Sequence, residues 1–189
     1  DAKILVVAID ERDKILQIVE TAKRRFPHLK IFARAFDRTH AYALFNAGVY
    51  GPAHQDPRQA NSAEIGQLFL ANAVAPISLG QQLAGRIEAG GVMAFISSQM
   101  ASLRLNRAID MPLYGASKAA LNSLLQSWSN HYAELPWSLL ALHPGWVRTA
   151  MGGADAPLSV ADSAAGLYQV ITAELGRRRC TFLDYQGQT

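Results

Sequence analysis

"LFNAGVYGP", residues 44–52, is the stretch whose reading decides how the chain is organised. Asn46-Ala47-Gly48 either ends a β-strand at a ligand crevice or closes an amphipathic helix at Gly48, with Val49 opening the next strand. To its left, "DRTHAYALFNAG" (37–48) places apolar residues at helical spacing and predicts a short helix with Gly48 beyond its end. To its right, a Pro-containing polar loop (51–62) leads into a long apolar helix over about 63–88 that stops at "AGG".

Outward from this point, strands and helices alternate. "AKILVVAI" (2–9) and "LKIFARAF" (29–36) are apolar, β-branched runs of the kind buried on both faces of a parallel sheet. Between them, Asp10 caps a helix on which Ile15, Ile18, Val19 and Ala22 share a face, with Pro27 after its end. Strands follow at "GVMAFISS" (91–98), "WSLLALHPG" (137–145) and "CTFLDY" (180–185), and helices at 113–135 and 159–175. The pattern predicts one α/β three-layer sandwich, Rossmann-like, with about five parallel strands.

Composition narrows the classes. Half of the 189 residues are apolar and 17% are charged, as in a globular domain. A net charge of +3 and one short basic run, Arg177-Arg178-Arg179, favour a solvated helix end over a nucleic-acid surface. The longest apolar run, "ILVVAI", is far too short to span a bilayer. Cys180 is the single cysteine, which excludes an internal disulfide and points to a reducing, cytoplasmic setting. No leader-like segment precedes the first strand, and the chain opens without methionine, so its first residue need not be a natural start.

The sharpest chemical feature is Tyr114-x-x-x-Lys118, which sets a phenol and an ammonium on one helical face. An adjacent ammonium stabilises a phenolate, so Lys118 is expected to bring the phenol's pKa down from its usual value near 10. Ser98, at the end of the strand before that helix, is placed to hydrogen-bond the same substrate oxygen. Six tyrosines and five lysines in 189 residues yield about 0.16 chance pairs at this spacing, so the pair alone decides nothing. Each residue also has a structural alternative: Asn72 satisfying a nearby backbone, Ser98 capping a loop, Thr149 capping a helix, Pro144-Gly145 forming a turn. His143 reads as a strand-end histidine, because no Cys or carboxylate stands at ligand spacing, and no metal site is expected.

Order separates these alternatives. "FLANAVAP" with Asn72, "FISS" with Ser98, "YGASKAALN" with Tyr114 and Lys118, and "HPGWVRTAM" with Pro144, Gly145, Val147 and Thr149 follow one another along the chain. Together with "NAGVYGP" they resemble the short-chain dehydrogenase/reductase family over residues 46–187, closest to its small carbonyl-reductase-like members. The resemblance implies NAD- or NADP-linked interconversion of a carbonyl and an alcohol on a small-molecule substrate. Tyr114 would then be the general acid/base, Lys118 its pKa-lowering and ribose-holding partner, Ser98 the substrate orienter, and Asn72 a support for a proton relay. Pro144–Thr149 would cover the nicotinamide, and Asn46, Ala47 and Gly48 would border the adenosine side. It also implies a homodimer paired through the helices 63–88 and 113–135.

One part of that family's pattern is missing. A dinucleotide phosphate site uses a glycine-rich turn after the first strand, and there is no glycine between residues 1 and 47. Ile9 to Lys14 instead offers Ile9 and three acidic side chains, which predicts weak or absent cofactor binding. Residues 1–49 resemble the later part of the nucleotide-binding regulatory domain of bacterial glutathione-gated potassium efflux systems. The chain thus reads as a chimera of segments 1–49 and 50–189 joined at "NAGV", with the dehydrogenase's first half truncated, and Gly48 closing a helix on its left. The competing reading is a non-catalytic nucleotide-binding regulatory or scaffold domain.

Overall fold

Parallel pairing of hydrophobic strands sets the frame. The computed structural model describes residues 3–8, 29–34, 40–105 and 107–189, with side chains from Ala41 onward. The strands are β1 (Lys3–Ala8), β2 (Leu29–Arg34), β3 (His40–Phe45), β4 (Ile87–Ile96), β5 (Ser138–His143) and β6 (Cys180–Asp184). β1 and β2 form a parallel pair, and β3-β4-β5-β6 form a four-stranded parallel sheet in that order. This is the Rossmann-like α/β architecture. The helix expected after Asp10, with residues 9–14, lies outside the described residues.

The opening stretch resolves against the helix at 37–48. Residues 40–45 are a strand in register with β4, pairing Tyr42 with Val92 and Phe45 with Phe95. Phe45 is 3% exposed, and its ring stacks on that of Phe95 with centroids 4.3 Å apart and planes within 6°. Six residues are strand length, and burial beside β4 outweighs a helical spacing too short to nucleate a helix. Gly48 therefore closes no helix. The left-handed turn comes later, at Gly51 (φ +83°), where a Cβ would lie 2.9 Å from the buried Leu68. This strand also raises the number described from the expected five to six.

The helix expected over 63–88 is interrupted. α1 (Ser62–Phe69) starts at a capping box in which Asn61 accepts from Ala63 and Glu64, while Glu64 accepts from Asn61. A π-helical turn (Leu70–Val74) follows, then α2 (Ala75–Leu83) and a 3₁₀ turn (Ala84–Arg86). Pro76 has no N–H to complete an α-helical bond to the Asn72 carbonyl, which is where the ladder shifts. α3 (Pro112–Ser129) and α4 (Val160–Ala173) complete the helices among the described residues. None of them is long and apolar enough to cross a membrane.

Side chains alternate across the sheet and build a core on each face. Met93, Phe95, Leu139 and Ala141 pack with Ile77, Leu83, Leu121, Leu125 and Trp128 from α2 and α3. Val92, Ala94, Leu140 and Leu142 pack with Leu167, Val170 and Ile171 from α4. At Gly80, in α2, an added Cβ would meet the Phe95 ring at 2.7 Å and Trp128 at 3.2 Å. Gly→Ala inside a helix ordinarily stabilises by about 1 kcal/mol. Here overpacking against two buried rings costs about 1–3 kcal/mol and reverses the sign. Gly80→Ala is expected to lower stability by roughly 1 kcal/mol in denaturant unfolding.

Candidate active site

The candidate site lies at the carboxyl ends of β3 and β4, where ligands gather in open parallel sheets. α3 begins with Pro112, suited to a first helical position, and brings Tyr114 and Lys118 over these strand ends. Lys118 is 1% exposed and its Nζ donates to the carbonyls of Ile96 (2.8 Å) and Ala47 (3.3 Å). The β-strand ends 45/46 and 96 are thereby joined through one ammonium. Gly48 leaves room beside it, since a Cβ there would stand 3.4 Å from Nζ. Asn46 is exposed at the end of β3.

Ser98 meets Tyr114 directly. Ser98 Oγ accepts the Met100 N–H at 3.1 Å, which leaves its hydroxyl proton for the Tyr114 phenol, with which it is hydrogen-bonded. Asn72, on the π-helical turn, is fully buried. Its amide clamps Val49 at both ends, accepting from Val49 N at 2.7 Å and donating to Val49 O at 2.8 Å. It also donates to Ser117 Oγ (2.8 Å), whose hydroxyl donates to the Tyr114 carbonyl (2.7 Å). The side chain of Asn72 thus serves the backbone, while its own carbonyl loses an α-helical partner to Pro76.

The 144–158 loop forms the other wall. The Pro144 carbonyl accepts from Ser163 Oγ at 2.7 Å, and Gly145 turns at φ +83°, where a Cβ would strike Leu158. Val147 bridges Leu158, and Thr149 Oγ1 accepts the Gly152 N–H at 3.0 Å, closing a local turn. What links this loop to the catalytic candidates is Tyr50. Its hydroxyl donates to the Met151 carbonyl at 2.9 Å, and its ring stands edge-on to Tyr114, centroids 5.2 Å apart. Tyr50 lies within "NAGVYGP" but outside the motif positions with an expected role, and Gln55 lies in no motif. An aromatic residue just past a strand end was the available signal for Tyr50; Gln55 left none.

The electrostatics correct one expectation. The phenol of Tyr114 is pushed up to about 12, first by burial and then by Tyr50 beside it, with the Ser98 bond pulling weakly the other way. Lys118 stays with its two carbonyl acceptors and does not bring the phenol down. Burial lowers Lys118 itself to about 8. It remains mostly charged at neutral pH, with one of three N–H donors unassigned among the described residues. His143 is held down to about 4 mainly by burial, and its Nδ1 has no partner among the described residues. No cluster of three or more potential metal ligands occurs among the described residues.

Lys118 makes stability depend on pH with a definite sign. Its folded pKa lies below the unfolded value of 10.5, so between about pH 8 and 10.5 only the unfolded chain binds this proton, and stability rises with pH. Relative to Lys118→Met, the wild type is expected to gain on the order of 3 kcal/mol across that window. Urea unfolding of both proteins at pH 7.5, 9 and 10.5 measures it (the pH points being roughly the window's edges and centre). A flat difference would remove the buried charge from the account.

Similarity to known proteins bears on this site. The chain matches the family model described as short chain dehydrogenase over residues 1–157, so the family reaches further toward the amino terminus than the motifs at 46–187. It is 35% identical over 127 residues to C-signal of Myxococcus xanthus, covering 66% of this chain and 76% of that protein. It also aligns with a carbonyl reductase from Pseudomonas aeruginosa PAO1 solved in complex with NADP. That alignment has a TM-score of 0.77 and 40% identity and covers 100% of this chain and 98% of the other. The potassium-efflux resemblance is short: 47% identity over 51 residues with KefC of Escherichia coli O157:H7, 27% of this chain and 8% of that protein. With its model spanning most of the chain, and its motifs meeting at one end of the sheet, the protein belongs to the short-chain dehydrogenase family.

Proposed function

We propose that this oxidoreductase interconverts a small-molecule carbonyl and its alcohol with NAD or NADP, and that Tyr114 is its proton donor and acceptor. The observation that carries the reading is the buried trio of Tyr114, its hydrogen-bonded Ser98, and Lys118 with a donor to spare. The residues fit a nicotinamide riboside: Gly48 leaves clearance beside Lys118, and the spare N–H suits a ribose hydroxyl. The bound nicotinamide supplies or takes the hydride.

The protein's part is proton handling and placement. A phenol with a high pKa stays protonated at neutral pH and presents its hydrogen to the carbonyl oxygen; Ser98 donates to the same oxygen as charge develops there. Lys118, tied to two strand-end carbonyls, would hold the nicotinamide ribose with its remaining N–H. Asn72, buried on the π-helical turn, would support a relay that returns the proton. Pro144, Gly145, Val147 and Thr149 would cover the nicotinamide, and Asn46, Ala47 and Gly48 would border the adenosine side. Segments 1–49 and 50–189 act as one Rossmann-like domain, in a cytoplasmic protein. Relatives named as carbonyl reductases, one of them holding NADP, support this class of substrate and cofactor.

Cofactor affinity is proposed to be weak, because "IDERDK" (9–14) supplies carboxylates and no glycine where phosphates bind in dinucleotide folds. Nicotinamide fluorescence during titration with NADH and NADPH tests this. Saturation only well above low micromolar levels is expected; tight NADPH binding would refute weak affinity and leave the catalytic reading standing. Tyr114→Phe should lower turnover by roughly 10²–10⁴-fold with the fold intact. Unchanged turnover would move the chemistry elsewhere. No saturable binding and no turnover would favour the regulatory or scaffold reading. Leu70 and Val74, apolar and 37% and 48% exposed on the π-helical turn, support dimer formation through the α1–α3 side. Light scattering at high concentration is expected to give the mass of a dimer.

A further inference from the structure

The loop between β3 and α1 holds a residue that no motif explains. Gln55 is 7% exposed and sits at φ +51°, in the left-handed region that L side chains rarely adopt. Its carboxamide is spent across two segments. Oε1 accepts the backbone N–H of Tyr114 at 3.0 Å, while Nε2 donates to the carbonyls of Tyr50 (2.8 Å) and Pro52 (2.9 Å). Tyr114 N–H is one of those that a helix start leaves without an intrahelical acceptor. The N-cap, Met111, offers no side-chain acceptor. A Ser or Asp at 111 would satisfy it locally. The acceptor comes instead from 59 residues upstream, on a strained backbone, and the same carboxamide grips the residue whose ring faces Tyr114. Strain of this kind persists where the surroundings over-determine it, and it concentrates at functional sites.

We propose that Gln55 is a positioning residue for proton transfer: it fixes the backbone of Tyr114 against that of Tyr50, and so sets where the phenol stands relative to Ser98 and the 144–158 loop. This rests on the reading of Tyr114 as proton donor. A plain helix cap would also bind the Tyr114 N–H, but it would not need to hold Tyr50. Two variants separate the roles. Gln55→Gly removes the carboxamide and relieves the backbone. Adding Met111→Asp to it returns a local cap, yet a carboxylate has no hydrogen to give the Tyr50 and Pro52 carbonyls.

In the double variant, thermal stability should return toward wild type, while kcat for benzaldehyde reduction stays roughly tenfold to a hundredfold low. KM for NADPH should change by less than about threefold. Independently of turnover, the Tyr114 ring-carbon resonance in isotope-labelled protein should move in both variants, assigned by its loss in Tyr114→Phe. A resonance that moves in both variants, with a wild type that reduces no carbonyl, would uphold the positioning and sink the catalytic reading. A resonance unmoved in Gln55→Gly would overturn the proposal. So would a double variant in which resonance and kcat recover along with stability.

Discussion

The site depends on one buried ammonium. Lys118 Nζ donates to the last carbonyl of β4, Ile96, and to Ala47 just past the end of β3. Those strands are joined along their lengths by parallel ladder bonds, and the ladder ends where Lys118 takes over. Burying a cation costs free energy unless hydrogen bonds compensate, and the lowered pKa of Lys118 records what remains uncompensated. Placing it there commits α3 to a fixed register over the sheet. Tyr114, one turn earlier on the same face, is carried into contact with Ser98 by that commitment.

Around the ammonium, polar groups are used up in pairs. Asn72 spends its amide on Val49 and Ser117, Ser117 spends its hydroxyl on the Tyr114 carbonyl, and Gln55 spends its carboxamide on three backbone groups. Satisfied buried networks rigidify the groups they hold. What they leave is a small set: one donor of Lys118 unassigned among the described residues, and the phenol with Ser98. On the proposed function, a reacting carbonyl would meet those groups held by neighbours with no competing use for them.

Much of this was legible in the sequence, for reasons that differ by residue. Tyr114 and Lys118 are four apart on a long helix, so their shared face follows from helical geometry alone. Ser98 sits where an apolar β-branched run gives way to polar residues, which marks a strand end. The strand β3 was not legible, because "HAYALF" fits either period over six residues and only pairing with β4 decides between them. The phenol's pKa was misjudged because spacing says which groups are near but not how deeply they are buried. Gln55 was invisible because its partner at the helix start, Tyr114, lies 59 residues away and its left-handed backbone is one that L side chains rarely adopt.

The π-helical turn at Leu70–Val74 has a consequence for how this chain can change over evolutionary time. It adds one residue to an otherwise α-helical path, which offsets α1 and α2 by about 100° relative to an unbroken helix. Leu68, buried under Gly51, and Ile77, buried under the sheet, both face inward only because of that offset. Removing a single residue here would regularise the helix and turn one of those two faces outward. Descendants of this chain can exchange side chains along 62–83 with some freedom, but gaps and insertions in that span should be almost entirely absent.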